Sequence, residues 1–314
     1  MPISGRANGT KSAPAPDQFV LLRVKAYERL ANFRKIVFGY GGQNRPVVLG
    51  KQTILQLPIE SENSLLELKN PHAVRAALEH RPAAVKEVVF YSPPKGMWGR
   101  IADQAKELKV PVRIHDQKEK QEAKRAYRGT AEKEERIGHA FAKVEPKSPL
   151  SLEKMFSSAS DAGETEGNLW IGLDTLQDPH NVGAIFRTAA FFGVRGIVVT
   201  KNQSAPISST VYDIAAGGLE SVPFAIETNL HRSLKFAKRA GLWILGTSEH
   251  AEKSIWEIDR RRPWMLLLGN EQKGLRRLTI DNCDELAIIP AHAEVKSLNV
   301  SVAAGIMTSI LVGK

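Results

Sequence analysis

The sequence predicts an α/β protein in which a doubly wound, largely parallel sheet fills the C-terminal half and a smaller α/β domain precedes it. Three observations carry this reading. Short apolar runs alternate with helical patterns from about residue 63 to the end, as successive β-α-β units do. Some of these runs are apolar without a break, such as Met265-Leu266-Leu267-Leu268, which suits a parallel sheet covered on both faces. A stretch rich in Ser, Gly and Glu, from Lys147 to Glu166, lies between the halves and reads as a linker.

The elements follow in order. Residues 1–17, rich in Gly, Ala, Pro and Ser, read as a disordered tail. Residues 18–62 join an apolar and basic stretch, Phe19 to Lys25, to a glycine-rich turn at Gly39 to Gly42. Residues 1–60 hold nine Lys or Arg against three Asp or Glu. Residues 1–62 are therefore a basic, partly disordered extension, which an RNA-contacting arm or a solvated tail would explain equally. Residues 63–147 form the small domain. A helix is expected over 71–80, where Pro71 opens the first turn. A strand over 86–91, a helix over 97–108, a strand over 110–115 and a charged helix over 117–127 come next. After the linker, 148–167, the second domain spans 168–314. Its strands are expected at 169–173, 194–200, 223–227, 242–246, 264–268 and 286–289, with a helix at 181–192 and a closing helix from Val300 to about Leu311.

Composition narrows the function classes. The 314 residues carry 44 Lys and Arg against 34 Asp and Glu, a formal net charge of +10, and a positive field favours polyanionic partners. Lys118, Lys120, Lys124, Arg125 and Arg128, with Tyr127, would suit a phosphate-tracking face, although Glu119 and Glu122 make a solvated helix as good a reading. Cys283 is the sole cysteine, which excludes an intrachain disulfide and a Cys-based metal cluster. The eight histidines show no zinc-type spacing. With neither a signal-peptide core nor a membrane-length apolar run, a cytoplasmic protein is expected.

Three segments place polar residues where strands end and helices begin, the usual ligand edge of an open α/β sheet. In the first, Asp174 to Ala189, Asn181 stands at the expected helix start and Arg187 lies six residues on, inside an apolar helix. An arginine there must find an anion or project from the core. In the second, Leu268-Gly269-Asn270-Glu271-Gln272-Lys273-Gly274-Leu275, a buried strand runs into a loop with two glycines. It is neither a dinucleotide fingerprint nor a phosphate loop, which disfavours a Rossmann-type nucleotide enzyme. In the third, Ile289-Pro290 is followed by Ser297-Leu298-Asn299, and Asn299 is a natural cap for the small-residue helix after it. That helix must be buried in the core or against another subunit. Read singly, these residues are adequately explained as caps and turns.

Taken together, N-x-G-x-x-x-R-T-A, then L-G-N-E-x-x-G-L, then I-P with S-L-N-V-S-V-A resemble the three signature motifs of the SpoU/TrmH family of SPOUT RNA methyltransferases. The run Ala215 to Phe224 (AAGGLESVPF) is also similar to that family. Residues 66–145 resemble the small RNA-binding domain that often precedes its catalytic domain, with Gly138-His139-Ala140 in place of the usual H-Q-G-like ending. The resemblance implies a sheet closed by a C-terminal trefoil knot and a homodimer with active sites near the subunit interface. It implies transfer of a methyl group from S-adenosyl-L-methionine to a ribose 2′-hydroxyl of RNA, with 23S-type ribosomal RNA ahead of transfer RNA as substrate and no metal. Carried across by position, Thr247, Gly269, Asn270, Ile289 and Leu298 would hold the donor, and Asn181, Arg187, Glu271, Ser297 and Asn299 would serve catalysis. A guanidinium is essentially always protonated, so Arg187 is read as orienting the nucleophile and its phosphate rather than as a free base. A non-catalytic RNA-binding or ribosome-assembly factor on the same fold is the alternative from another class. Residues 1–150 are expected to supply most RNA affinity, the fragment 160–314 to bind the donor alone, and Gly269→Val to abolish that binding in a folded protein.

Overall fold

A computed structural model describes residues 65–115, 140–157, 159, 168–294 and 297–313. The expectations for residues 1–62 and for the charged helix over 117–127 lie outside the described residues. The smaller part comprises β1 (Leu66–Leu68), α1 (Pro71–His80), β2 (Val85–Phe90), α2 (Met97–Glu107), β3 (Val112–Ile114) and β4 (Ala140–Val144). Its sheet has the order β1-β4-β2-β3, with β2 and β3 parallel and the other pairs antiparallel. Asn70 caps α1 by accepting the His72 N–H at 2.9 Å, and Pro71 occupies the first turn where its missing N–H costs nothing. The helix buries Ala73, Val74, Ala77 and Leu78 against the sheet side.

The stretch read as a linker departs from that expectation. It contains α3 (Leu152–Phe156), capped by Ser151, and Leu152, Met155 and Phe156 are buried in a core shared with Trp170 and Val198. The fragment 160–314 would lose this helix and expose its seat on the sheet.

The larger part continues with β5 (Leu169–Leu173), α4 (Pro179–Phe192), β6 (Gly196–Thr200), α5 (Ser209–Ala215), α6 (Gly218–Ser221), β7 (Phe224–Glu227), α7 (Leu230–Arg239), β8 (Trp243–Thr247), β9 (Trp264–Leu268), α8 (Arg277–Ile280), β10 (Glu285–Ala287) and α9 (Val300–Val312). Its six strands run in the order β10-β8-β9-β5-β6-β7, all parallel. Successive side chains enter opposite layers, as the strand period of two demands. Leu169, Ile171, Ile197 and Leu266 join the core under α4, α5 and α9. Trp170, Val198, Met265 and Leu267 join the core under α3 and α7. The chain moves outward from β5 to β7, returns to β8 on the far side, and inserts β9 between. The carboxyl ends of β8, β9 and β10 thus meet near the return point, where doubly wound sheets bind ligands.

One boundary is corrected. Asp178, not Asn181, caps α4 by accepting the His180 N–H at 2.8 Å, with Pro179 in the first turn. Asn181 lies inside that turn and is buried, which leaves its amide for tertiary contacts.

The two sheets are joined through the α5–α6 turn. Arg81 Nε and Nη2 donate to the two carboxylate oxygens of Glu220, each at 2.7 Å. Lys147 Nζ spends its three protons on the carbonyls of Leu219, Glu220 and Val222. Asp213 Oδ1 accepts the backbone N–H groups of Lys69 and Asn70 at 2.9 and 2.8 Å. Gly217 has φ +99°, and a Cβ there would come within 2.9 Å of Ala76 Cβ on α1. A side chain at this position would push the two parts apart.

Candidate active site

The loops that leave β8, β9 and β10, with the start of α9, enclose a cavity of about 500 Å³. That size lies within the usual range for a small-molecule site. Thr247, Gly269, Asn270, Ile289 and Leu298, the five positions expected to hold a methyl donor, all line it, as do Glu271, Ser297 and Asn299. The lining mixes apolar walls, Leu268, Ile289 and Leu298, with backbone and side-chain polar groups. This donor set fits a ligand that pairs an apolar heteroaromatic ring with polar ribose and amino-acid ends, as S-adenosylmethionine does.

Gly269 shapes the loop before it can shape a ligand. A Cβ there would collide with the backbone of Gly274 and Leu275, because the loop doubles back through paired hydrogen bonds between Asn270 and Gly274. Gly269→Val would therefore break the loop itself, which corrects the expectation of a folded variant that merely fills ligand space.

A chain of amides fixes these loops relative to one another. Asn270 Nδ2 donates to the Thr175 carbonyl at 2.9 Å, and its Oδ1 accepts the N–H groups of Gln272 and Lys273. Thr175 is a buried residue at φ +61°, an unusual conformation for a β-branched side chain. Asn181 Nδ2 donates to Glu271 Oε1 at 3.1 Å, and Asn299 Nδ2 donates to Asn181 Oδ1 at 3.0 Å. Asn299 Oδ1 in turn accepts the Ser301 N–H at 2.8 Å, capping α9 as the sequence predicts. The three signature segments are thus one hydrogen-bonded unit. Beneath it, the fully buried Asp174 accepts from Thr279 Oγ1 at 2.7 Å and faces Arg276 Nη2 at 2.7 Å.

Partial burial pushes the Glu271 carboxyl up. Its own N–H, the Asn181 amide and the N–H groups of Asp178 and Gln177 outweigh that effect and hold it below its ordinary value. A depressed carboxylate contributes stability above its unfolded pKa and loses it as pH falls through the folded one. Stability is therefore expected to fall as pH drops below the ordinary glutamate range, and Glu271→Gln to flatten that fall. Thermal melts of the two proteins across about pH 3.5–7 measure both, and equal pH profiles would refute the link.

Arg187 stands apart from this unit. It is exposed on α4 and lines no part of this cavity. Six residues at the helical rise put it about 9 Å along the axis from Asn181. It borders instead a second cavity of about 530 Å³ between α1 and α4. Sequence reasoning missed Ser248, Glu249 and His250, which follow β8 and line the first cavity. Their signal was present: a polar run directly after a buried parallel strand.

The profile described as the SpoU rRNA Methylase family matches residues 168–309. The 23S rRNA (guanosine-2′-O-)-methyltransferase RlmB of Pseudomonas aeruginosa is 36% identical over 240 residues, covering 75% of this chain and 91% of that protein. The enzyme of the same name from Pseudomonas putida is 35% identical over 247 residues, covering 78% and 94%. Among solved structures, an AdoMet-bound rRNA methyltransferase from Sinorhizobium meliloti superposes with a TM-score of 0.59 at 25% identity, covering 80% of this chain and 87% of that one. The SpoU methyltransferase AviRb of Streptomyces viridochromogenes shares the fold, with a TM-score of 0.63 at 20% identity and coverage of 79% and 89%. From motifs, fold and relatives alike, this chain belongs to the SpoU rRNA methylase family.

Proposed function

We propose that the protein methylates a ribose 2′-hydroxyl of 23S ribosomal RNA at the expense of S-adenosylmethionine. The observation that carries this reading is the hydrogen-bonded unit of Asn181, Glu271 and Asn299 set against a donor-sized cavity. Its bacterial relatives named for the same reaction match over most of their length. When bound, S-adenosylmethionine supplies a methyl already made electrophilic by the sulfonium, so no metal is called for.

This chain's residues hold and orient. Gly269, Ile289 and Leu298 enclose the donor, with Thr247 and Asn270 beside it. Ser297 and Asn299 stand at the cavity's rim, where they face the incoming ribose. Arg187 grips the phosphate next to the target and aligns the hydroxyl, whose proton leaves to a phosphate oxygen or water within its reach. Positioning of this kind lowers a barrier by several kcal/mol. Residues 63–147 act as the RNA substrate-binding part, together with the basic extension 1–62.

Arg187 lies off the donor cavity of its own chain, and in this reading an arginine from a second copy serves it. The protein then works as a homodimer. It is supported by apolar surface on the closing helix, where Val302 on α9 is 50% exposed. The C-terminal trefoil knot belongs to the same reading. No helix among the described residues is long and apolar enough to cross a membrane, in keeping with work in the cytoplasm.

The test is transfer of labelled methyl to ribosomal RNA from cells that lack the protein, with 2′-O linkage read as resistance to alkaline cleavage. Label in 23S RNA supports the reading. Binding of that RNA without transfer overturns it in favour of an assembly factor, and sedimentation as a monomer removes the dimer.

A further inference from the structure

The cavity beside Arg187 is built by two parts of the chain that are far apart in sequence. On one side α1 presents His72, Arg75, Ala76, Glu79 and His80 to the cavity. His72, Arg75 and Glu79 are spaced at three and four residues, as neighbours on one helix face are, and His80 stands at the helix's end. On the other side stand Arg187 and Thr188 of α4, followed by an apolar wall of Ala190, Phe191 and Phe192. Among the described residues Glu79 is the one acidic group in the lining, and it lies 3.4 Å from Arg75 Nε in an exposed pair, which screening makes weak. The groove is open and about 530 Å³ in volume, and its polar lining, His72, Arg75, His80, Arg187 and Thr188, sets donors to anions against the single carboxylate of Glu79.

Its floor is the AAGGLES run. Gly217 admits α1, whose Ala76 sits against it, and Gly218 admits α4. A Cβ on Gly218 would lie 2.6 Å from the Phe186 carbonyl oxygen and 3.0 Å from Arg187 Cα. Two residues later Glu220 is clamped by Arg81, the residue that ends α1. Consecutive residues of one turn thus set the distance from α1 to Arg187, and the buried ion pair keeps it set. A fixed gap between two helices is what an oriented strand needs, and no part of the donor site explains the glycine pair.

We propose that this groove is the track on which the RNA backbone next to the target nucleotide lies, with Arg75, His72 and His80 of α1 facing its phosphates and Arg187 at its catalytic end. The small sheet then contributes positioning residues, beyond affinity alone, and α1 fixes which phosphate reaches Arg187. This rests on the ribose-methylation reading above, and the experiment separates the two.

The probe is full-length protein with undermethylated 23S ribosomal RNA. Arg75→Glu, alone and with His80→Glu, is compared with Arg239→Glu, an equal charge reversal on α7 across the large sheet. Equilibrium binding is measured against salt, transfer against RNA concentration, and size by sedimentation. In the groove variants KM and Kd for RNA are expected to rise about tenfold or more, the scale of one missing charge-assisted hydrogen bond. The log–log salt slope should shrink by about one for each phosphate that the groove no longer neutralises. The effect on kcat at saturating RNA should be smaller than that on KM, and affinity for S-adenosylhomocysteine should hold. Arg239→Glu should show at most a small change. Equal weakening by Arg239→Glu, or unchanged Kd and salt slope in folded groove variants, overturns the proposal. So does a changed oligomeric state, which would make the groove a subunit contact. A wild-type protein that binds RNA but transfers nothing defeats the methylation reading, while the binding and salt measurements still decide the track.

Discussion

Arg187→Ala is expected to lose methyl transfer by about two to three orders of magnitude, the usual cost of removing one well-placed electrostatic group. The variant should still fold, because the side chain is exposed and packs into no core. Donor affinity should hold as well, since Arg187 lines no part of the donor cavity. The loss would therefore fall on kcat with ground-state donor binding intact. Arg187→Lys should recover little, because an ammonium cannot reproduce the planar fork that grips a phosphate from two sides. Single-turnover transfer to undermethylated ribosomal RNA, with calorimetry of S-adenosylhomocysteine on the same preparation, separates the two quantities. A fully active alanine variant would keep the enzyme and overturn the role given to this residue.

Much of this site is legible in the sequence, and the reason is local. Glycine-bearing turns, helix caps and uninterrupted apolar strands are written in neighbouring residues, so the loops after β9 and β10 and the cap at Asn299 could be placed from the sequence. Strand limits in the large sheet match the expectation at 169–173 and 264–268 and elsewhere shift by one or two residues, within the fraying of any element end. Other features were out of reach because nothing local encodes them. Residues Ala140–Val144 and Leu152–Phe156 are five-residue elements, too short for periodicity to stand out, and the second sits in a stretch whose composition reads as linker. Asn181 looked like a cap because Asp178-Pro179 offered a second, equally valid start, and only the fold shows that the proline start wins. The separation of Arg187 from the donor cavity depends on how α4 crosses the sheet, which six residues of spacing cannot reveal. The pairing of Arg81 with Glu220 spans 139 positions.

That pairing supports the second large effect, Arg81→Ala. The Glu220 side chain is 1% exposed and its partner 24%. Removing the guanidinium leaves a carboxylate sealed under α1 with its two strongest donors gone. Breaking a buried pair on one side costs about 3–5 kcal/mol. The partly exposed arginine and the nearby ammonium of Lys147, which lies 2.7 Å from the Glu220 carbonyl, argue for the lower end. At roughly 2–4 °C per kcal/mol for a body of this size, the melting temperature should drop by about 6–12 °C. The drop should also change shape. With the clamp gone, the small sheet loses its main charged tie to the α5–α6 turn, and a single thermal transition should broaden or split. Replacing both residues with leucine should cost less than Arg81→Ala alone, because no charge is then stranded. Calorimetric scans of the wild type, Arg81→Leu, Glu220→Leu and the double leucine variant complete the cycle. A melting curve for Arg81→Ala that overlays the wild type would mean that water reaches Glu220 freely, and the joint would have to be held by the backbone contacts of Asp213 and by Lys147 instead.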